Sequence, residues 1–229
     1  MRRILSTRKI KPALADKAGK AGVEILEREM IGIKFHSPEI IREHIKRTKN
    51  KTTVFTSAHA VEAVDAALNN DSKPGWEIFC IGGATKDAVN GAFPDSVICG
   101  TGDDGTSLAQ LMTGSVEPQP VTFFCGSRRR DELPDLLKKN NFSVEEIEVY
   151  ETVLTPSVVN ERYDGIMFFS PSAAESYLSL NQIPEHIVCF SIGKTTTGYL
   201  HQHTKSKIVT APEVSEESMI NIIINYQWN

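Results

Sequence analysis

The sequence predicts an α/β protein of two similar lobes, each with a parallel sheet flanked by helices. Three observations predict it. Short apolar runs alternate with helical patterns along almost the whole chain, as parallel sheets with crossover helices require. The segment Val54-Phe55-Thr56-Ser57-Ala58-His59-Ala60 returns as Phe168-Phe169-Ser170-Pro171-Ser172-Ala173-Ala174. Downstream of each copy an apolar run again ends in small and hydroxyl residues, Phe79-Cys80-Ile81-Gly82-Gly83-Ala84-Thr85 and Phe190-Ser191-Ile192-Gly193-Lys194-Thr195-Thr196.

Taken in order, Ile4 to Thr7 reads as a first strand and Pro12 to Lys20 as a helix ending near Gly22. Val23 to Phe35 reads as extended. Ser37-Pro38-Glu39 opens a helix, with serine as N-cap and proline in the first turn, and Ile40, Ile41 and Ile45 form its apolar stripe. Thr52 to Thr56 is a strand and Val61 to Leu68 an amphipathic helix. Glu77 to Ile81 and Asp95 to Ile98 are strands, and Thr106 to Met112 a helix. A second series follows, with Val121 to Cys125 a strand, Asp131 to Lys139 a helix and Val144 to Thr155 extended. Gly165 to Phe169 and Ile187 to Ile192 are strands that each feed a helix, and Ser215-Glu216-Glu217-Ser218 opens the last helix. The halves 1–118 and 119–229 thus repeat one order of elements, with Ile4–Arg8 matching Phe123–Arg128 and Glu29–Lys34 matching Val149–Leu154. The two extended stretches, 23–35 and 144–155, are the candidates for connectors between lobes.

The totals exclude several classes. A chain of 229 residues with 40% hydrophobic and 24% charged residues is ordinary for a globular protein. A net charge of -4 gives no bulk attraction for nucleic acid or an anionic membrane, so an anionic ligand must be held by local groups. No apolar stretch approaches the roughly 20 residues of a membrane span, and the opening residues lack the apolar core of a signal peptide. Cys80, Cys99, Cys125 and Cys189 lie in or beside apolar runs without CxxC spacing, which suits reduced, largely buried thiols in a cytoplasmic protein. The tail Tyr226-Gln227-Trp228-Asn229 reads as exposed.

The candidate chemistry sits at the strand-to-helix turns. In open parallel sheets, ligands bind at the carboxyl ends of the strands. A hydroxyl there caps the helix, while unpaired N–H groups and the helix dipole attract carboxylate or phosphate. Thr56 and Ser57, Gly82 to Thr85, Ser170 to Ala173 with Ser172, and Gly193 to Thr196 with Thr195 all occupy such places. Cys125-Gly126-Ser127-Arg128-Arg129-Arg130 adds three cations after a strand, and Arg8 occupies the corresponding place in the first half. Tyr150, in Glu148-Val149-Tyr150-Glu151-Thr152, is the ionisable candidate, a phenol that stays protonated at neutral pH.

Other motifs fail. Gly193-Lys194-Thr195 would end a P-loop only with glycine at position 188, where valine stands. Gly100-Thr101-Gly102-Asp103-Asp104-Gly105 matches GxGxxG, but its two carboxylates would repel a pyrophosphate. His201 and His203 lack acidic or cysteine partners at ligand spacing and read as surface residues. No nucleophile elbow is present. The expected site is therefore a pocket of hydroxyls, backbone donors and a few arginines, without cofactor or metal.

These residues resemble the uroporphyrinogen-III synthase family. Phe55-Thr56-Ser57-Ala58-His59-Ala60-Val61, Ile81-Gly82-Gly83-Ala84-Thr85, Cys125-Gly126 with Arg130 and Leu133-Pro134, Val149-Tyr150-Glu151-Thr152, Phe169-Ser170-Pro171-Ser172 and Ile192-Gly193-Lys194-Thr195-Thr196 follow one another in the family's order across essentially the whole chain. His59 departs from the asparagine common there, and Met30 from a frequent proline. The resemblance implies two α/β lobes joined by a two-stranded β connector, with a cleft between them. The first lobe is then discontinuous, 1–33 with 155–229, the second is 36–152, and the connectors fall at about 30–36 and 150–156. It implies a cofactor-free lyase that cyclises hydroxymethylbilane with loss of water and inversion of ring D through a spiro intermediate, in heme biosynthesis. On this reading Tyr150 donates the proton, and Thr56, Ser57, Thr85, Ser170, Ser172, Thr195 and Thr196 hold carboxylates by side chain or backbone. Arg8 and Arg130 are the candidate cationic contacts. The expected protein is a monomer without nucleic-acid or membrane partners, and the upstream hydroxymethylbilane synthase is a candidate partner. The competing reading is a non-enzymatic two-lobe protein that binds a small anion.

Overall fold

The computed structural model describes residues 1–69 and 73–228. In chain order it begins with β1 (Arg2–Ser6), α1 (Pro12–Lys20), β2 (Val23–Glu27) and β3 (Ile31–Phe35). There follow α2 (Pro38–Arg47), β4 (Thr52–Phe55), α3 (Ala58–Leu68), β5 (Glu77–Ile81), α4 (Ala84–Ala92), β6 (Val97–Gly102), α5 (Gly105–Ser115), β7 (Pro120–Gly126), α6 (Glu132–Lys139) and β8 (Ser143–Leu154). The chain ends with β9 (Gly165–Phe168), α7 (Pro171–Leu178), β10 (Val188–Ser191), α8 (Lys194–His203), β11 (Ile208–Thr210) and α9 (Glu216–Ile224).

The chain divides into two compact units, Met1–Gly32 with Val153–Asn229, and Ile33–Thr152. It passes from one to the other within β3 and within β8. The first unit holds a five-stranded sheet in the order β11-β10-β9-β1-β2, all of it parallel. The second holds a six-stranded sheet in the order β3-β8-β7-β4-β5-β6, parallel from β8 to β6.

Strand alternation sends successive side chains to opposite faces, and each sheet is covered on both. In the first unit Ile4, Met167 and Phe190 meet α1 and α9 through Ala18, Met219, Ile220 and Ile223. Their neighbours Leu5, Ile166, Phe168 and Cys189 meet α7 and α8 through Ala173, Ala174, Tyr177 and Leu200. In the second unit Phe55, Ile78, Cys80 and Phe124 face α2, α3 and α4, while Val54, Phe79, Phe123 and Cys125 face α5 and α6.

Several expectations need correction. Residues 23–35 are not one extended stretch. Val23–Glu27 pairs with β1 as an edge strand of the first sheet, and Ile31–Phe35 joins the second. The break between them is held by Arg28 and Met30, whose N–H groups donate to Ser6 O and Thr7 O at 2.9 and 3.1 Å. The strand expected to stop at Ile98 runs on to Gly102, because the glycines make room for α5 rather than for a turn. A Cβ on Gly100 would lie 2.4 Å from Leu111 Cδ2, and one on Gly102 would lie 2.5 Å from the Leu108 backbone nitrogen. The helix expected from Val61 begins at Ala58, directly after its serine cap. The three-residue β11 was not foreseen. Cys80, Cys125 and Cys189 are buried free thiols, but Cys99 is exposed on the edge strand β6. The tail is exposed only in part: Gln227 is exposed, but Tyr226 and Trp228 are half-buried and pack their rings on Phe190 at 5.5 and 5.8 Å. Asn229 lies outside the described residues. No helix among the described residues is long and apolar enough to cross a membrane.

Candidate active site

Ser57 caps α3, accepting from the His59 N–H at 3.2 Å, and Ser170 caps α7, accepting from the Ala173 N–H at 3.1 Å. The two caps align Ser57 with Ser170, one residue away from the alignment read in the sequence, where Thr56 fell opposite Ser170. Val54 lies opposite Phe123 and Met167 opposite Ser6, so the same alignment sets Arg8 level with Cys125 rather than with the three arginines.

The other two turns are built differently from the expected hydroxyl caps. α4 and α8 start from Gly83 and Gly193, and neither has a side-chain cap. Gly83 has φ 66°, the left-handed region that glycine enters without a Cβ clash. Thr85 and Thr196 are buried in the first turns, which leaves Thr195 as an exposed hydroxyl. The first-turn N–H groups of these helices therefore remain as backbone donors. Thr56, just past β4, and Ser172, in the first turn of α7, are both half-buried.

Tyr150 lies near the carboxyl end of β8, opposite Gly126 at the end of β7. Its ring covers Gly126 so closely that a Cβ there would lie 2.3 Å from Cζ and 2.7 Å from the phenol oxygen. The Tyr150 hydroxyl donates to Ser57 Oγ at 3.1 Å. The imidazole of His59 stands edge-on to the same ring at 5.8 Å between centroids, its Nδ1 3.1 Å from a Glu62 carboxylate oxygen. Burial pushes the phenol above its ordinary value, and the Ser57 hydrogen bond offsets part of that rise. The group is thus a neutral carrier of one proton, aimed by a serine and fixed by a glycine.

The sequence candidates fall into separate groups. Ser57 and Tyr150 meet at one turn of the second unit, with Thr56 next to Ser57 in the chain. Arg8 lies in the first unit, its guanidinium 4.1 Å from the Phe169 ring centroid, next to the Ser170 cap. It is also engaged by Glu216 at 2.8 Å, so any anion that reaches it must compete with that ion pair. Arg130 is exposed and stands near Asp104. The Asp104 carboxyl is held below its usual range first by the Ser107 backbone N–H and further by the Arg130 charge. Asp104 caps α5, accepting from Ser107 N–H at 2.8 Å within a capping box, which occupies the helix start that GxGxxG would give to a phosphate. His201 and His203 are exposed, and His203 Nδ1 lies 2.8 Å from Tyr199 O. Among the described residues no three His, Cys, Asp or Glu side chains are grouped to hold a metal ion. Sequence reasoning missed two partners of Tyr150. Gly126 was visible only as a motif glycine, and His59 only as a departure from asparagine.

The family model described as uroporphyrinogen-III synthase HemD matches residues 12–221. The fold is similar to that of the uroporphyrinogen-III synthetase of Helicobacter pylori, with TM-score 0.69 and 18% identity over 98% of this chain and 99% of that one. A mutant uroporphyrinogen III synthase from the extremely thermophilic bacterium Thermus thermophilus gives TM-score 0.71 at 14% identity, covering 98% of each chain. The wild-type Thermus thermophilus protein in a second crystal form gives 0.54 at 13% identity, covering 98% and 97%. At such identities the solved structures bear on the fold, and the family model bears on kinship. The match spans most of the sequence and includes every turn just described except Arg8, so the chain belongs to the uroporphyrinogen-III synthase family, enzymes of heme biosynthesis.

Proposed function

We propose that the chain is a lyase that converts hydroxymethylbilane to uroporphyrinogen III, with Tyr150 as the proton donor. The observation that carries the reaction is the family match over residues 12–221. The role of Tyr150 is supported by its geometry, a protonated phenol held at the carboxyl end of a parallel sheet.

The linear substrate carries acetate and propionate groups on four pyrroles. Backbone N–H groups at the glycine-started helices, with Thr56, Ser172 and Thr195, suit many carboxylates without a large positive charge. Thr85 and Thr196 contribute through their backbones. Tyr150 donates to the departing hydroxyl and, as the C–O bond breaks, gives up its proton, so water leaves and an azafulvene forms. The substituted carbon of ring D attacks the freed carbon to give a spiro intermediate. That intermediate fragments and recloses with ring D inverted, and the last ring carbon returns a proton to the phenolate. The balance is one substrate to one product and one water. A phenol above its ordinary pKa is a weak acid, so positioning of ring D and exclusion of water carry more of the acceleration than acid strength. The lobes are proposed to be joined through β3 and β8, with a cytoplasmic, monomeric enzyme that needs no cofactor.

A coupled assay tests the proposal. Hydroxymethylbilane is generated in situ, the purified chain is added without metal or nucleotide, and the oxidised porphyrin isomers are separated. Predominant type III isomer is the expected result. Type I alone, as in a blank, would reject the activity and favour a protein that only binds an anion.

A further inference from the structure

The first unit contains a cavity of about 1010 Å³ at the opposite end of its sheet from the Ser170 and Gly193 turns. It runs across the amino ends of the strands, touching Arg2 and Arg3 at the start of β1, Asp164 just before β9, Val188 at the start of β10 and Lys207 just before β11. We propose that this cavity is a second ligand site, for a planar aromatic molecule bearing a carboxylate or another anionic group. Nothing in the proposed reaction uses it.

Its aromatic walls are built rather than incidental. Trp228 and Tyr226 line it, 4.7 Å apart and in T-shaped contact, and both rest on Phe190. Gly165 at the start of β9 leaves space for this arrangement, since a Cβ there would lie 2.9 Å from Phe190 Cε2 and 3.1 Å from Trp228 Cη2. Tyr163 lines the cavity as well, its hydroxyl hydrogen-bonded to that of the buried Tyr177 behind it. The Arg2 guanidinium stands 5.3 Å from the Trp228 ring centroid, so a flat ring reaches this wall by stacking on the guanidinium plane or by displacing it.

The charge at the rim selects the sign of the ligand. Asp164 is saturated, accepting from the Arg3 N–H at 2.8 Å and pairing with Arg2 at 3.2 Å. Glu161 pairs with Arg28, and Arg3 with Glu24 at 3.1 Å. Arg162 and Lys207 also line the cavity and make no ion pair among the described residues. Lys207 sits 4.9 Å over the Tyr226 ring, which holds its ammonium at the mouth. Against these two cations stands Glu185 alone, the one lining carboxylate without a cation among the described residues. Both cations are exposed, so the aromatic contacts supply most of the affinity and the charges supply the preference.

Calorimetric titration of the full chain tests the site with three probes built on the same ten-carbon bicycle. 2-Naphthoate is expected to bind one-to-one with a Kd of about 0.1–1 mM, as a small rigid ligand in such a pocket should. Decahydronaphthalene-2-carboxylate keeps the size and charge but is not aromatic or flat, 2-naphthylmethylammonium reverses the charge, and both are expected to bind at least tenfold more weakly. Trp228→Ala is expected to weaken 2-naphthoate at least fivefold, and so is the double variant Arg162→Glu/Lys207→Glu, whose exposed positions leave the fold intact by circular dichroism. Tyr150→Phe should leave the affinity unchanged, which separates this site from the reaction. No saturable binding of 2-naphthoate, equal binding of the ammonium probe, or full affinity in both cavity variants would each overturn the proposal. The readout does not depend on synthase activity, so either reading stands or falls alone.

Discussion

The two units repeat one plan with different lengths. In both, a central strand lies between a capped strand and an outer partner: β1 between β9 and β2, and β7 between β4 and β8. In the first unit the central and outer strands are five residues each, Arg2–Ser6 and Val23–Glu27. In the second they run to seven and twelve, Pro120–Gly126 and Ser143–Leu154. The added length carries Gly126 and Tyr150 to the serine-capped turn. Where the first unit's strands stop, Arg8 turns back to Glu216 and to the face of Phe169. One plan has thus produced a proton-bearing phenol in one unit and a tethered cation in the other.

Substitution separates the two. The largest effect belongs to Tyr150→Phe, which is expected to lower turnover about tenfold to a hundredfold, the low end of general-acid effects. Full turnover in that variant would remove Tyr150 as donor and erase the contrast. Gly126→Ala follows, because its methyl must displace the Tyr150 ring. It should approach the same loss of turnover and cost about 1–3 kcal/mol of stability, as overpacking does, measured by denaturant titration. Ser57→Ala and Ser170→Ala compare the caps directly. Each should cost about 1 kcal/mol, but only Ser57→Ala should also shift the pH dependence of catalysis. On the proposed mechanism activity needs the protonated phenol, whose pKa burial raises and the Ser57 hydrogen bond lowers only in part. The alkaline limb of the wild-type rate profile therefore lies above the ordinary tyrosine value of about 10. In Ser57→Ala it should move higher still, and a shift to lower pH would contradict the hydrogen bond. The smallest effect is Asp104→Asn. The Asp104 carboxyl titrates lower in the folded state, so its contribution is present above the ordinary carboxylate value and is lost as pH falls through the folded one. Wild type and variant should differ by well under about 1 kcal/mol at neutral pH, and converge on acidification.

The sequence made the fold legible wherever the signal was local. Apolar runs, a serine followed by proline at Ser37 and Ser170, and the small-residue turns placed most strands and helices. The errors share one cause, distance along the chain. Gly100 and Gly102 look like turn glycines until Leu111 and Leu108 are seen lying over them. Phe-Thr-Ser and Phe-Phe-Ser align in two ways, and only the hydrogen bond of the cap decides. Trp228 looks like a loose end until Phe190 and the gap at Gly165 give it a seat. At the candidate site, Tyr150 and Ser57 were named separately, and their hydrogen bond spans 93 positions. The dependence of Tyr150 on Gly126 was hidden for the same reason, since nothing local marks a glycine as the bed of a ring 24 residues away.

The division of the chain also sets an order of assembly on the ribosome. All of the second unit lies within residues 33–152, so it can fold before the final strands have been synthesised. The first unit cannot, because Ile4 to Ser6 pair with Gly165 to Met167. Until then β1 and β2 wait with one edge of their sheet open. Folding of the second unit shortens the loop that this pairing must close. It pairs β3 with β8, with the His36 N–H donating to Val149 O at 3.0 Å, and so draws together the places where the chain enters and leaves. A loop of more than a hundred residues becomes a short one, and most of the entropy of closing it is lost as the second unit folds. The middle of the message is therefore the clamp that lets its two ends find each other.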